Sequence, residues 1–186
     1  NPTTSWRTPK KRPGTRRSWT SENEIALLRR FHPRGVTQVC LVGSEGVDLR
    51  TELVSRETAR EALSTYDLWE QYRNSLTLDT ISLGSAVALL NDLNWYLVRF
   101  TDDALVLEPS VSETEWLSRS LAEAVRDGAI DPAETDEYLK VYGLTAEDEL
   151  VEPMYLTRQD GEIPSYDLRD VEATVVVRVT ESEFGD

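Results

Sequence analysis

Histidine and cysteine are nearly missing from this chain of 186 residues, which holds one of each, His32 and Cys40. A single cysteine excludes an internal disulfide. With His32 confined to the first 35 residues, the remaining sequence has no histidine for a Ser-His-Asp or Cys-His nucleophile system. One Cys and one His also exclude a zinc site built from the chain's own histidines and cysteines. No GxxxxGK[ST] loop is present, so P-loop phosphate chemistry is excluded. No apolar run reaches the roughly 18 residues of a membrane span, and no signal-peptide pattern is visible.

Lysine is the next scarcity. After residue 35 it occurs once, as Lys140, and the other ten cations are arginines. Against these 11 cations stand 32 carboxylates, so residues 36–186 carry a net charge of −21. Such charge strains a compact chain by self-repulsion. At molar salt the Debye length falls to about 3 Å and the strain is screened. The acidic residues are spread through segments that read as folded, which predicts adaptation to concentrated salt.

Residues 1–35 are the reverse, with nine Lys and Arg against Glu22 and Glu24, and four of the eight prolines. This composition predicts a disordered basic tail. Its cluster Lys10, Lys11, Arg12, Arg16 and Arg17 is suited to a nucleic-acid arm. The flip in composition at Val36 favours a competing expectation: an extended gene model, with translation beginning at Val36.

The acidic part reads as α+β. A single domain is expected, with a mixed or antiparallel sheet and helices packed on at least one face. Thr37–Gly43 predicts the first strand. Ser55 is placed to cap a helix over 56–65, burying Ala59, Ala62 and Leu63. A short helix is expected from Asp67, using Leu68 and Tyr72, then a strand over Leu76–Ile81. Leu83, Val87, Leu90 and Leu93 recur at helical spacing. Trp95–Phe100 and Ala104–Glu108 predict a hairpin turning at Asp102 and Asp103. Ser112 and Glu115 have capping-box form and predict a helix placing Leu117, Leu121, Ala124 and Val125 on one stripe, ended by Gly128. Asp131-Pro132 predicts another helix, ended by Gly143. Val151–Arg158 and Asp170–Thr180 predict antiparallel strands, with Val175 and Val177 on a buried face.

The segments Val36–Gly46 (VTQVCLVGSEG) and Leu83–Pro109 (LGSAVALLNDLNWYLVRFTDDALVLEP), with the helices predicted up to Gly143, resemble an uncharacterised haloarchaeal protein family of unknown function. The resemblance covers 36–186 and leaves out the basic tail. It implies an archaeal cytoplasm rich in salt. It brings no activity and no site residues.

Few residues are suited to chemistry. Gly43, Ser44, Glu45 and Gly46 follow the first strand, where α/β proteins often hold ligands. They are weak candidates for a cofactor or anion site, and a Gly-rich turn is the plainer reading. Asp102 with Asp103, and Asp79 with Asp92, are possible acid–base or magnesium pairs, but adjacency is common among 32 carboxylates. Helix 83–93 and the hairpin after it have the outline of a winged helix. With only Arg99 to meet phosphate, packing is the better reading. Cys40, in an apolar run, and Trp69, Trp95 and Trp116 read as core.

The leading expectation is a non-enzymatic interaction or regulatory module of the cytoplasm, with an unknown protein as partner. No catalytic residue, metal ligand or cofactor is assigned. One alternative is a magnesium-dependent, carboxylate-based enzyme acting on a phosphorylated small molecule. The other is nucleic-acid binding through the basic tail; residues 36–186 are too acidic to contribute.

Overall fold

A computed structural model describes residues 35–166, 168 and 170–184. The expectations for the basic segment therefore lie, Gly35 aside, outside the described residues. Seven strands form one sheet: β1 (Thr37–Gly43), β2 (Ser75–Thr80), β3 (Thr101–Leu107), β4 (Trp116–Ser118), β5 (Tyr138–Leu144), β6 (Leu150–Thr157) and β7 (Ala173–Arg178). Their order is β2-β1-β3-β4-β7-β5-β6. Only β4 and β7 run parallel, so the sheet is mixed and the fold is α+β. Among the described residues, five helices accompany it: α1 (Leu49–Val54), α2 (Glu57–Leu63), α3 (Leu83–Asp92), α4 (Asn94–Phe100) and α5 (Arg119–Arg126).

The helices cover one face. Val39 and Leu41 of β1, Leu76 and Leu78 of β2, and Ala104 and Val106 of β3 alternate toward it, as period-two strands require. They meet Leu49 and Leu53 of α1, Val87 and Leu90 of α3, and Leu121 of α5 in one core. Leu90 and Leu93 are fully buried, as their spacing predicts. Ser82 caps α3 and Ser118 caps α5, each accepting an amide hydrogen bond three residues on.

The opposite face carries a second core without helices: Cys40, Val42, Leu105, Trp116, Tyr142, Val175, Val177 and Val179. It is concave. Asp103 of β3 bonds to Lys140 and Tyr142 of β5, although β4 and β7 lie between those strands. Three strand spacings amount to about 14 Å in a flat sheet, too far for these side chains to meet. The sheet must curl. The three-residue β4 allows this, because it pairs with only two residues of each neighbour.

Several predicted elements give way. The hairpin 95–108 is instead helix α4 running straight into β3. All of β3 is then free to pair with β1 across Gln38–Gly43, a long-range register that a local hairpin would have blocked. No helix begins at Asp67; Trp69 makes a two-bond bridge to Thr77 at the edge of β2. Ser55 ends α1 rather than starting α2, and α1 itself escaped the sequence reading. Ser112 accepts from the Glu115 amide as expected, yet the chain continues into β4 and the helix starts six residues later, after Ser118. After one 3-10 turn at Pro132–Glu134, the predicted helix is strand β5. Gly143 there is no helix stop: a Cβ on it would lie 2.6 Å from Val171 Cγ1 and 2.7 Å from Val151 Cγ2. Strands β6 and β7 are not partners of each other; both flank β5.

Candidate functional site

Three places bear on function. The first is the loop Gly43–Gly46. The Gly43 amide donates to Asn74 O (2.8 Å) and the Ser44 amide to Phe100 O (2.9 Å). Asn74 Nδ2 in turn donates to Ser44 O. Two amides of the loop are thus spent on protein carbonyls, and Gly46 turns the chain at φ +76.

The second is a cleft of about 220 Å³ on the concave face, lined by Asp102, Asp103, Ser118, Lys140, Tyr155, Val179 and Glu183. Strand β4 ends there and α5 turns away, which opens the space. Lys140 Nζ donates to Asp103 Oδ2 (2.7 Å), and the same oxygen accepts from the Tyr142 hydroxyl (2.8 Å). Burial, and the Asp103 carboxylate beside it, push the Tyr142 phenol far above its ordinary range. At neutral pH Tyr142 is therefore a donor. Across the cleft, Ser118 Oγ donates to Glu183 Oε2 (2.7 Å). The sole lysine of the acidic region is thus a half-buried member of this cleft. Sequence spacing gave no sign of it, because Asp103, Lys140 and Glu183 come from three distant segments. The scarcity of lysine was the one signal available.

Asp102 and Asp103 do share the cleft, but on strand β3, not at a hairpin tip. Asp79 accepts from Gln38 Nε2, and Asp92 is exposed at the end of α3. Among the described residues, no group of three or more His, Cys, Asp or Glu is arranged to hold a metal ion. On the other face of the sheet, Glu115 links the start of β4 to the ends of β6 and β7: it accepts from Arg158 (2.6 Å) and from Arg178, which also donates to Thr135. Desolvation pushes the Glu115 carboxyl up, but the two guanidinium groups outweigh it and hold the acid below its usual range.

The third place is the outer face of α4. Trp95 is 50% exposed and Val98 is 72% exposed, in contrast to the expected burial of the tryptophans. The Arg99 guanidinium lies 3.8 Å from the centre of the Trp95 ring, and that of Arg56 lies 5.8 Å away. Arg56 also stands 4.9 Å from the Phe100 ring. The helix is anchored by buried Leu97, with Tyr96 and Phe100 partly buried against the core. Trp116, on β4, is buried as read, and Cys40 lies at 0% exposure with its thiol pushed up to about 11 by burial.

A model of a family of unknown function, DUF5804, matches residues 37–144, which span β1 through β5. The chain belongs to that family. No curated protein and no solved structure matches it.

Proposed function

We propose that this domain is a non-catalytic interaction module of a salt-rich cytoplasm, and that it docks an acidic partner protein on the outer face of α4. The observation that carries this reading is Trp95, half exposed between Arg56 and Arg99. Tryptophan and arginine are the residues most enriched at the energetic centres of protein interfaces. Here they stand together on a surface otherwise rich in carboxylates.

Charge selects the partner. Arg99 and Arg60 donate to backbone carbonyls, of Trp95 and Val54, and neither is among the ion pairs of the described residues. Arg56 pairs with Glu52, yet its Nε is buried without a partner. A docking segment with an apolar anchor flanked by carboxylates meets the exposed Arg99 guanidinium beside Trp95. Concentrated salt favours this kind of contact. Screening cancels long-range steering, while apolar burial and charge pairs in direct contact persist. The magnesium-enzyme alternative finds, among the described residues, no group of three or more carboxylates arranged to hold a metal ion.

A photo-crosslinking side chain in place of Val98, used in native cells, identifies the neighbour. The reading expects an adduct to one acidic segment, and a purified pair whose affinity falls at least about thirtyfold with Trp95→Ala. Unchanged affinity overturns it. A homodimer abolished by Trp95→Ala assigns the face to self-association and overturns it as well. The salt component has a separate test. The melting midpoint of residues 36–186 should rise steeply between about 0.1 M and about 1 M KCl, and a flat midpoint removes that part of the reading.

A further inference from the structure

We propose that the cleft beside Lys140 is a binding site for a small zwitterion of the amino-acid class, one bearing both a carboxylate and an ammonium group. It lies on the concave face and is independent of α4.

The lining states the chemistry. At the cationic end, Lys140 spends one N–H on Asp103 Oδ2. An ammonium has three N–H donors and no acceptor, so donors remain for a carboxylate entering the cleft. Asp103 is already engaged by the protein at both oxygens. Its Oδ2 is taken by Lys140 and Tyr142, and its Oδ1 accepts from the Ala104 amide. Asp103 and Tyr142 therefore hold Lys140 in place. The Lys140 ammonium also lies 5.1 Å from the Tyr142 ring centre, which restricts it further.

At the anionic end stand Glu183 and Asp102. Glu183 uses Oε2 three times, accepting from Ser118 Oγ, Thr180 Oγ1 and the Thr180 amide. Those bonds fix the carboxylate and leave Oε1 for a donor. Asp102 is exposed at the rim. Val179 and the Tyr155 ring supply the apolar wall between the two ends.

Net charge decides among ligand classes. Three carboxylates and one ammonium line the space, inside a region of net charge −21. A phosphate or dicarboxylate would meet repulsion from Asp102 and Glu183. A simple amine would pair with those two and leave the remaining Lys140 donors unmet. A zwitterion pairs with both ends and adds no net charge. The cleft, at about 220 Å³, matches a molecule of few heavy atoms.

The test is calorimetric titration of the whole chain in molar KCl with glycine, alanine, serine and glutamine, each to about 10 mM, the range that covers millimolar affinity. Acetate, methylammonium and inorganic phosphate serve as comparison ligands. The proposal expects saturable binding of at least one amino acid, with acetate and methylammonium at least about tenfold weaker. Lys140→Met and Asp102→Asn should each weaken binding by about tenfold or more, as loss of a charged hydrogen-bond partner does. Asp102 is exposed, so its substitution reads binding even where Lys140→Met impairs folding. Absence of saturation by every amino acid overturns the proposal. So does binding that both substitutions leave unchanged, or phosphate binding tighter than that of any amino acid.

Discussion

Trp95 and Trp116 are 21 residues apart and lead opposite lives. Trp116 sits at the start of β4 with 3% of its surface exposed, packed among Cys40, Leu105 and Val177, its side chain hydrogen-bonded to Tyr72. Trp95 stands half exposed on α4, held by two arginines and edge-on to Tyr96 and Phe100. Both rings have the same hydrophobic value in transfer. One is used to close the concave core, while the other leaves a comparable area facing solvent. A chain under selection for stability alone would bury both. The difference separates the part of the molecule that holds the fold from the part available to a partner.

The contrast can be broken most severely at the buried side. Val177 is fully buried beside Trp116, where β7 meets β4. Val177→Asp places an unpaired carboxylate in that core, which a fold cannot meet without ionisation shifts or rupture. The expected outcome is a chain without a cooperative melt, checked by circular dichroism in molar KCl. A normally melting variant would show that the concave face is not a core. Next in size is Trp116→Ala. Removing a large aromatic from a sealed site costs about 3–5 kcal/mol, read as a lower midpoint in denaturant.

Polar ties on the opposite face of the sheet give a smaller effect, with a defined pH sign. Glu115 has its folded pKa depressed below the ordinary value of 4.5. Its contribution to stability is present above that value and disappears as pH falls through the folded pKa. Glu115→Gln should therefore lower stability at neutral pH and flatten the acid-side loss below about pH 4.5. Urea melts at several pH values check this. Parallel pH profiles in the two proteins would mean that the Arg158–Glu115–Arg178 cluster contributes no linkage.

The sequence was legible wherever burial leaves a local imprint, on either face. The apolar run Val39–Val42 located β1, period-two alternation located β7 of the concave core, and the 3.6 period of Leu83, Val87 and Leu90 located α3. Helix α4 and strand β5 were misread because their types are set at long range. Asn94–Phe100 is rich in aromatic and β-branched residues, yet pairing of β1 with β3 from Thr101 onward leaves it no strand partner. Tyr138–Leu144 follows helix-starting residues, yet it lies between β7 and β6. The cleft was hidden for the same reason, since curling of the sheet brings Asp103 to Lys140 across two intervening strands. The exposure of Trp95 follows from the error at α4: as a strand it would have been buried.

The central claim is that Trp95 is kept for a partner and not for the fold, and the smallest expected effect tests it most directly. Trp95→Ala and Trp116→Ala are compared by urea denaturation in molar KCl. The account predicts that Trp95→Ala changes stability by less than about 1 kcal/mol, as surface substitutions do, against several for Trp116→Ala. A loss at Trp95 as large as that at Trp116 would make the exposed ring a structural residue and contradict the account.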